Sequence, residues 1–242
     1  MGYDLAYKPY GKRAILVEWP AKIDKNILED ILLFRKKIFA NTIKVIVDII
    51  NTYNSLTIIY DNDIENIYEE ISALKSIYRS SFEPESGQRT RWHVPVCYDE
   101  QFGIDLQEIS ILKNIPVEQI IQLHTGAIYT VYFIGFLPGF LYLGGLDERL
   151  FVPRKDTPRF KVESGSVAIG GTQTGVYPVE SAGGWNIIGR SPVSFFNIKA
   201  PNPCFAGPGD ELVFEQITLS EFKAIEAKVN KDNYKPKSTI HD

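Results

Sequence analysis

The sequence predicts an α+β protein with two domains, a small α/β domain followed by a β-barrel or β-sandwich domain. Its 242 residues, 44% of them hydrophobic, are enough for one large β domain or for two ordinary domains with real cores. After His124 the pattern changes to short β-branched or aromatic runs between glycine and proline turns. We predict domains over residues 1–85 and 86–242.

Six elements are predicted in the first domain, in the order strand, helix, strand, strand, helix, strand. They cover residues 14–19, 23–39, 43–50, 55–60, 64–78 and 91–97. The first helix carries Ile27, Ile31, Phe34 and Ile38 on one stripe, which predicts a buried face. The order matches the split βαβ, ferredoxin-like pattern, in which the last strand either completes this domain or leads into the next.

Short turn-bounded strands dominate the second half. Two helices are predicted over 105–114 and 116–123, followed by strands at 128–134, 166–169, 185–188, 193–198 and 211–215. A helix over 219–229 and a frayed, lysine-rich tail end the prediction. Strands at this spacing favour a barrel or a sandwich over a parallel sheet.

Composition excludes several classes of function. The chain has 26 Lys plus Arg against 30 Asp plus Glu, and no long basic run, so binding to nucleic acid or to an anionic membrane is not expected. Its two cysteines, Cys97 and Cys204, form no CxxC motif, which predicts no metal site and a reducing compartment. Without an apolar leader or a long apolar run, we expect the cytoplasm.

Motifs of common catalytic sites are missing, but side chains that bind anions are concentrated beside glycine turns. The P-loop, GxGxxG, GxSxG and HExxH patterns do not occur. Arg154 and Arg159 bracket the segment PRKDTPR, and Arg190 ends GGWNIIGR. Guanidinium groups bind carboxylates and phosphates through two hydrogen bonds, so these arginines either form an anion clamp or tie down turns by bonding backbone carbonyls or neighbouring acids.

A second group of candidate residues follows the arginines along the chain. Gln173 and Thr174 lie between two glycines, where they either join an anion-binding nest or face water on a hairpin. The same argument extends to Tyr177, Gly183 and Gly184. His124 has a titration range that suits proton transfer, although a single histidine at a helix end is also a common cap or packing residue.

These residues carry a resemblance to a known family over nearly the whole chain. The motifs GFLPGFLYL, PRKDTPR, GSV, QTGVYP and GGWNIIGR, in this order, resemble the signature of the KipI family, which is also called the 5-oxoprolinase B-subunit or allophanate hydrolase subunit 1 family. Ala182, Ser191 and the pair Glu163 and Ser164 depart from the usual pattern, all on turns. The resemblance implies a cyclophilin-like β-barrel as the second domain. It also implies kinship with half of the carboxyltransferase domain of biotin-dependent urea carboxylase.

For function, the resemblance implies a hydrolase subunit that works in a complex. Such proteins open 5-oxo-L-proline to L-glutamate with ATP, and we expect ATP as a substrate, with Mg²⁺, and no biotin on this chain. The expected partners are the KipA-like and LamB/YcsF-like subunits of the same 5-oxoprolinase. The expected catalytic residues are His124, Arg154 and Arg159, and the residues expected to bind substrate or phosphate are Gln173, Thr174, Tyr177, Gly183, Gly184 and Arg190.

The alternative is a binding module that inhibits a sensor histidine kinase, since the same family includes such an inhibitor. A carboxyl-transfer or allophanate reaction has less support, because this chain contains neither a biotin-carrier segment nor an amidase Ser/Lys pattern.

Overall fold

The protein divides into two compact units, residues 1–87 and 88–242, in a computed structural model that describes residues 2–41, 46–82 and 89–241. Each unit contains a hydrophobic core of its own. The predicted boundary between residues 85 and 86 lies outside the described residues and stays a prediction.

The first unit contains a four-stranded antiparallel sheet in the order β1-β2-β4-β3. Its strands are β1 (Ala6–Pro9), β2 (Ala14–Glu18), β3 (Ile46–Asn51) and β4 (Ser55–Tyr60). The predicted strands are confirmed apart from residues 43–45, which lie outside the described residues. Strand β1 was not predicted, and it holds the place beside β2 that a ferredoxin-like domain gives to a strand after its second helix. The ferredoxin-like assignment therefore stays a prediction.

Two helices, α1 (Lys25–Asn41) and α2 (Ile67–Arg79), pack with this sheet. The predicted stripe of α1 is confirmed, because Ile27, Ile31, Phe34 and Ile38 are fully buried. The start of α2 is capped by Asn66, whose side-chain oxygen accepts hydrogen bonds from two backbone N–H groups. Periodicity thus accounts for the buried face of α1, and capping for the start of α2.

The second unit contains an eight-stranded sheet and a separate two-stranded ribbon. In chain order its strands are β5 (Arg89–Val96), β6 (Tyr129–Ile134), β7 (Leu141–Gly144), β8 (Arg159–Val162), β9 (Ser166–Gly170), β10 (Gln173–Val176), β11 (Ser181–Gly183), β12 (Asn186–Arg190), β13 (Glu211–Gln216) and β14 (Lys237–His241). The sheet order is β12-β9-β10-β7-β6-β13-β5-β14, and β8 pairs with β11 in the ribbon. Strand β13 runs parallel to β5, whereas the other neighbours are antiparallel.

This sheet curls into a half-barrel. Although β12 and β5 lie near opposite ends of the strand order, Arg190 forms a β-bridge with Cys97, the residue after β5, through hydrogen bonds of 2.8 and 2.9 Å. Three helices belong to the same unit, α3 (Leu106–Lys113), α4 (Val117–Thr125) and α5 (Leu219–Val229), in agreement with the prediction. The coarse β-rich architecture is therefore confirmed, and the cyclophilin-like assignment stays a prediction.

Two predictions about this unit are wrong. Residues 193–198 form no strand: the backbone N–H of Asn197 bonds to the Pro203 carbonyl, and turns replace a ladder even though Val193 and Phe195 are buried. The lysine-rich tail is not frayed over its whole length, since β14 pairs with β5 in an antiparallel register. In the first case, the apolar residues indicate burial but do not form a strand. In the second case, the polar composition of the tail gives no sign that it pairs with the open edge of β5.

The two faces of the sheet carry different side chains, because successive residues of a strand point to opposite faces. On β9, Val167 and Ile169 join the main core, whereas Ala168 joins a second cluster with Tyr177 and Trp185. The candidate site lies on the face of this second cluster.

Candidate functional site

The segment 153–159 is held against the strand β12 and the residues before it. The side-chain amide of Asn186 donates to the Pro153 carbonyl over 2.9 Å, and the backbone N–H of Lys155 donates to the Gly184 carbonyl over 2.7 Å. Arg154 lies between these two hydrogen-bonded residues, so its backbone is held in place on both sides.

Arg154 presents an exposed cation above an aromatic ring. Its guanidinium carbon is 5.5 Å from the centroid of the Trp185 ring, a cation–π geometry. Within residues 2–41, 46–82 and 89–241, Arg154 forms no ion pair with an acidic side chain. Since no described carboxylate neutralises it, Arg154 can bind an anion from solution.

Arg159 has a different environment, because a buried carboxylate neutralises it. Its guanidinium donates to Asp105 over 2.6 Å, and the same carboxylate lies 3.1 Å from the ammonium of Lys155. The second oxygen of Asp105 accepts the backbone N–H of Ile187 over 2.6 Å. Lys155 also pairs with Glu108. Two cations therefore face two acids here, and the group ties the segment to α3.

Sequence reasoning missed Asp105 and Lys155. Asp105 is 2% exposed and precedes the first turn of α3, where an aspartate is ordinarily interpreted as a helix cap. Its side chain makes no capping bond and serves the arginine segment. The available signal was the three cations of PRKDTPR, which need acidic partners when partly buried.

Trp185 and Tyr177 form the centre of the aromatic cluster, which we define as Phe140, Tyr142, Tyr177 and Trp185. Both rings meet Phe140 edge-on, with centroid distances of 5.5 and 5.4 Å. A methyl group at Gly183 would overlap the Tyr177 hydroxyl, so this glycine permits the close approach. Burial raises the pKa of Tyr177, so its phenol stays protonated at neutral pH. Tyr177, Gly183 and Gly184 thus shape the surface beneath Arg154.

Gln173 and Thr174 are neighbours on β10 and point to opposite faces of the sheet. Thr174 is fully buried, donates to the Ala168 carbonyl and contacts His124 over 2.9 Å. Gln173 is partly buried on the other face, and its side-chain Oε1 lies beneath the surface with no hydrogen-bond partner among the described residues. Only Gln173 of this pair shares a face with the aromatic cluster.

His124 lies in the main core and has no exposed surface. Its Nδ1 is 2.8 Å from the Tyr98 hydroxyl and its Nε2 is 2.9 Å from Thr174 Oγ1, while its ring stacks on Phe214 at 4.6 Å. Burial lowers the pKa of His124 to about 3, so the imidazole is neutral at pH 7. The structure therefore separates His124 and Thr174 from Arg154.

Arg190 is also separate from this group. Its Nε donates to the Ser164 carbonyl over 2.8 Å, and its guanidinium carbon is 5.7 Å from the centroid of the Phe102 ring. Of the three predicted arginines, Arg154 and Arg159 meet at Trp185, since Arg159 also approaches the Trp185 carbonyl at 3.5 Å. Arg190 thus holds the turn before β9 by bonding a backbone carbonyl, which is the alternative to an anion clamp.

Neither a metal cluster nor a membrane-spanning helix is found in the described parts of the chain. No group of three or more His, Cys, Asp or Glu side chains there could hold a metal ion. None of the helices in residues 2–41, 46–82 and 89–241 combines the length and apolar character needed to cross a bilayer.

Comparison with known proteins supports the resemblance seen in the motifs. The model of the family "Carboxyltransferase domain, subdomain C and D" matches residues 5–206. The B subunit of 5-oxoprolinase from Bacillus subtilis (strain 168) is 34% identical over 196 residues, covering 76% of this chain and 81% of the relative.

Solved structures show the same architecture. The crystal structure of TTHA0988 matches 85% of this chain with a TM-score of 0.73 and 29% identity, and this chain spans 40% of that one. K. lactis urea amidolyase matches 98% of this chain with a TM-score of 0.82 and 20% identity, over 16% of its own length, which shows a shared fold. The chain therefore belongs to the carboxyltransferase subdomain C and D family, together with the proteins named as the B subunit of 5-oxoprolinase.

Proposed function

We propose that this chain is a subunit of an ATP-dependent 5-oxoprolinase, active in the cytoplasm in complex with a KipA-like protein and a LamB/YcsF-like protein. The observation that carries the proposal is the family relationship, in which relatives named as the B subunit of 5-oxoprolinase align over most of their length. The exposed, unneutralised Arg154 above the aromatic cluster supports it, because 5-oxoproline and ATP are both anions.

The proposed reaction opens a lactam whose amide is stabilised by resonance. The γ-phosphoryl group of ATP, supplied with Mg²⁺, passes to the lactam oxygen and ADP leaves. Water then adds to the activated carbon, the C–N bond breaks and the ring nitrogen takes a proton, which leaves an acyl phosphate on the opened chain. A second water hydrolyses this acyl phosphate, and glutamate and phosphate are released. Such a sequence requires cations around transferred phosphate and a clamp for the substrate carboxylate.

Within this scheme, the side chains have distinct roles. Arg154 binds the anionic substrate, and Arg159 holds the segment through Asp105. His124 is neutral and enclosed, so we assign it the positioning of β10 through Thr174, with no proton transfer to substrate. This assignment differs from the expectation that a titrating histidine performs acid–base chemistry.

The test uses the assembled complex of this chain with its two candidate partners. We expect Arg154→Ala to lower kcat/KM for ATP-coupled glutamate formation by about 100-fold, as loss of one charged donor at a reacting anion does. Arg149→Ala is the matched control, because Arg149 is an exposed arginine already paired with Asp147. Equal activity of both variants would remove Arg154 from the site, and a wild-type complex that forms no glutamate would overturn the function itself.

No described contact favours the histidine-kinase inhibitor. The curated relatives carry the name of an enzyme subunit, so the enzyme assignment is the one we propose.

A further inference from the structure

Gln173 lies between two glycines on the neighbouring strands. It pairs with Gly170 on β9, and the register of Thr174 with Leu143 places it opposite Gly144 on β7. A Cβ at Gly170 would come within 2.7 Å of the Trp185 ring, and one at Gly144 would meet the Tyr132 ring. The Trp185 and Tyr132 rings therefore lie over the positions on either side of Gln173.

The amide oxygen of Gln173 is enclosed and unpaired within the described residues. An unsatisfied buried carbonyl is destabilising, so folds rarely retain one without a compensating role. A hydrophobic side chain of similar length, such as methionine, would fill the same place among aromatic rings without this cost. An N–H or O–H donor on a ligand would instead satisfy the oxygen.

The nearby cation of Arg154 indicates which second group the ligand carries. Trp185 packs against Gly170 on one side of Gln173, and the guanidinium of Arg154 lies over the same ring. The acceptor therefore belongs to the residue paired with Gly170, on which the Trp185 ring packs, and the unneutralised cation lies over that ring. A small molecule that binds both carries an N–H donor and an anionic group.

We infer that Gln173 Oε1 accepts a hydrogen bond from the ring N–H of a small cyclic amide whose carboxylate binds Arg154. The inference rests on the proposed function and deepens it, because it names Gln173 as the residue that selects an amide over its isosteres. A site built to pair with a substrate N–H discriminates strongly against an analogue that lacks it, since the protein acceptor is then left unpaired.

The experiment measures binding by calorimetry to the assembled complex without ATP, so the readout does not depend on turnover. The two probes are 5-oxoproline and the corresponding lactone acid, in which a ring oxygen replaces the N–H. We expect the wild-type complex to bind 5-oxoproline at least about tenfold more tightly than the lactone. Gln173→Met should remove this preference, while Gln173→Glu, which keeps an acceptor, should retain it.

Stability supplies a second readout. Because Gln173→Met removes an unpaired oxygen, its melting temperature should equal or exceed that of the wild type. Thr172→Val on the adjacent exposed turn is the matched control, and it should leave the preference for the amide unchanged. Failure to bind 5-oxoproline, or a tenfold preference that survives in Gln173→Met, would overturn the inference. In the second case, ATP-coupled ring opening by the same complex would leave the proposed function standing.

Discussion

Burial, more than residue type, decides what His124 can do. The side chain has a hydrogen-bond partner at each ring nitrogen and aromatic rings around it, and its pKa falls to about 3. Arg154 shows the opposite case, since it lies at the surface and no described acid neutralises it. A histidine and an arginine that are both candidates by sequence therefore differ in their access to substrate, because His124 is enclosed and Arg154 is exposed.

The depressed pKa of His124 predicts a pH dependence of stability. The folded pKa lies below the unfolded value of 6.5, so protons bind preferentially to the unfolded chain. The contribution of this residue is complete above pH 6.5 and is lost as the pH falls toward 3. Between pH 7.5 and 5.5 we expect a loss of about 1.4 kcal/mol in the free energy of unfolding.

Urea denaturation of the wild type and of His124→Gln at both pH values measures this loss. The difference in stability between the two proteins should shrink by that amount at pH 5.5. Where His124→Gln fails to fold, NMR of the wild type decides, because its imidazole should stay neutral down to pH 5. A His124 signal that titrates near pH 6.5 would contradict the prediction.

At the scale of elements, the segment 153–159 has its position because α3 and β12 both bind it. Asp105 connects Arg159 and Lys155 to the backbone of Ile187, and Asn186 binds the Pro153 carbonyl. A loop of this composition has little intrinsic order. Here, buried hydrogen bonds to neighbouring elements replace the ladder that a strand would provide.

Removing the Asp105 carboxylate should release this segment. Asp105→Ala leaves Arg159 and the Ile187 N–H without their carboxylate acceptor and leaves Lys155 with Glu108 alone, so we expect a loss of roughly 2–4 kcal/mol in the free energy of unfolding. The control is Glu108→Gln, which removes the more exposed partner of Lys155 and should cost less than about 1 kcal/mol. Urea denaturation at pH 7.5 compares them, and similar costs for both would show that Asp105 does not hold the segment.

At the scale of the whole molecule, the chain forms two units with separate cores. The main core of the second unit joins residues from β5, the central strands and the helices α3 and α4. Strand β14 covers the edge of β5, so every pairing of the eight-stranded sheet lies within residues 89–241. The second unit thus contains the contacts that a domain needs to fold alone.

We therefore expect the fragment 88–242 to fold by itself. Its thermal unfolding, followed by circular dichroism, should be cooperative, and its NMR spectrum should show dispersed amide signals. A fragment shortened to 88–236, which lacks β14, should melt at a lower temperature because the edge of β5 loses its partner. A gradual transition in the longer fragment would contradict the prediction.

Local patterns were sufficient for most elements and for the family. The stripe of α1, the turn-bounded strands and the motif order all depend on residues close in sequence, so α1, β4 and α5 were predicted nearly to their ends. The patterns failed for β14, whose polar sequence becomes a strand only because β5 has an open edge. The site follows the same division: the motifs indicated Arg154 and Gln173, whereas Asp105 is 54 residues away from its partner Arg159.

The amino-acid sequence by itself determined the coarse β-rich architecture of the second half, the family and the segments that carry the candidate residues, because these depend on periodicity, turn residues and motif order. Only the tertiary structure decided which candidates act together. Folding placed His124 and Thr174 inside the sheet and neutralised Arg159 with a distant carboxylate. It also left Arg154 over the Trp185 ring, and Gln173 paired with Gly170, the glycine on which that ring packs. Burial and charge pairing arise between residues far apart in the chain, and local sequence does not encode them.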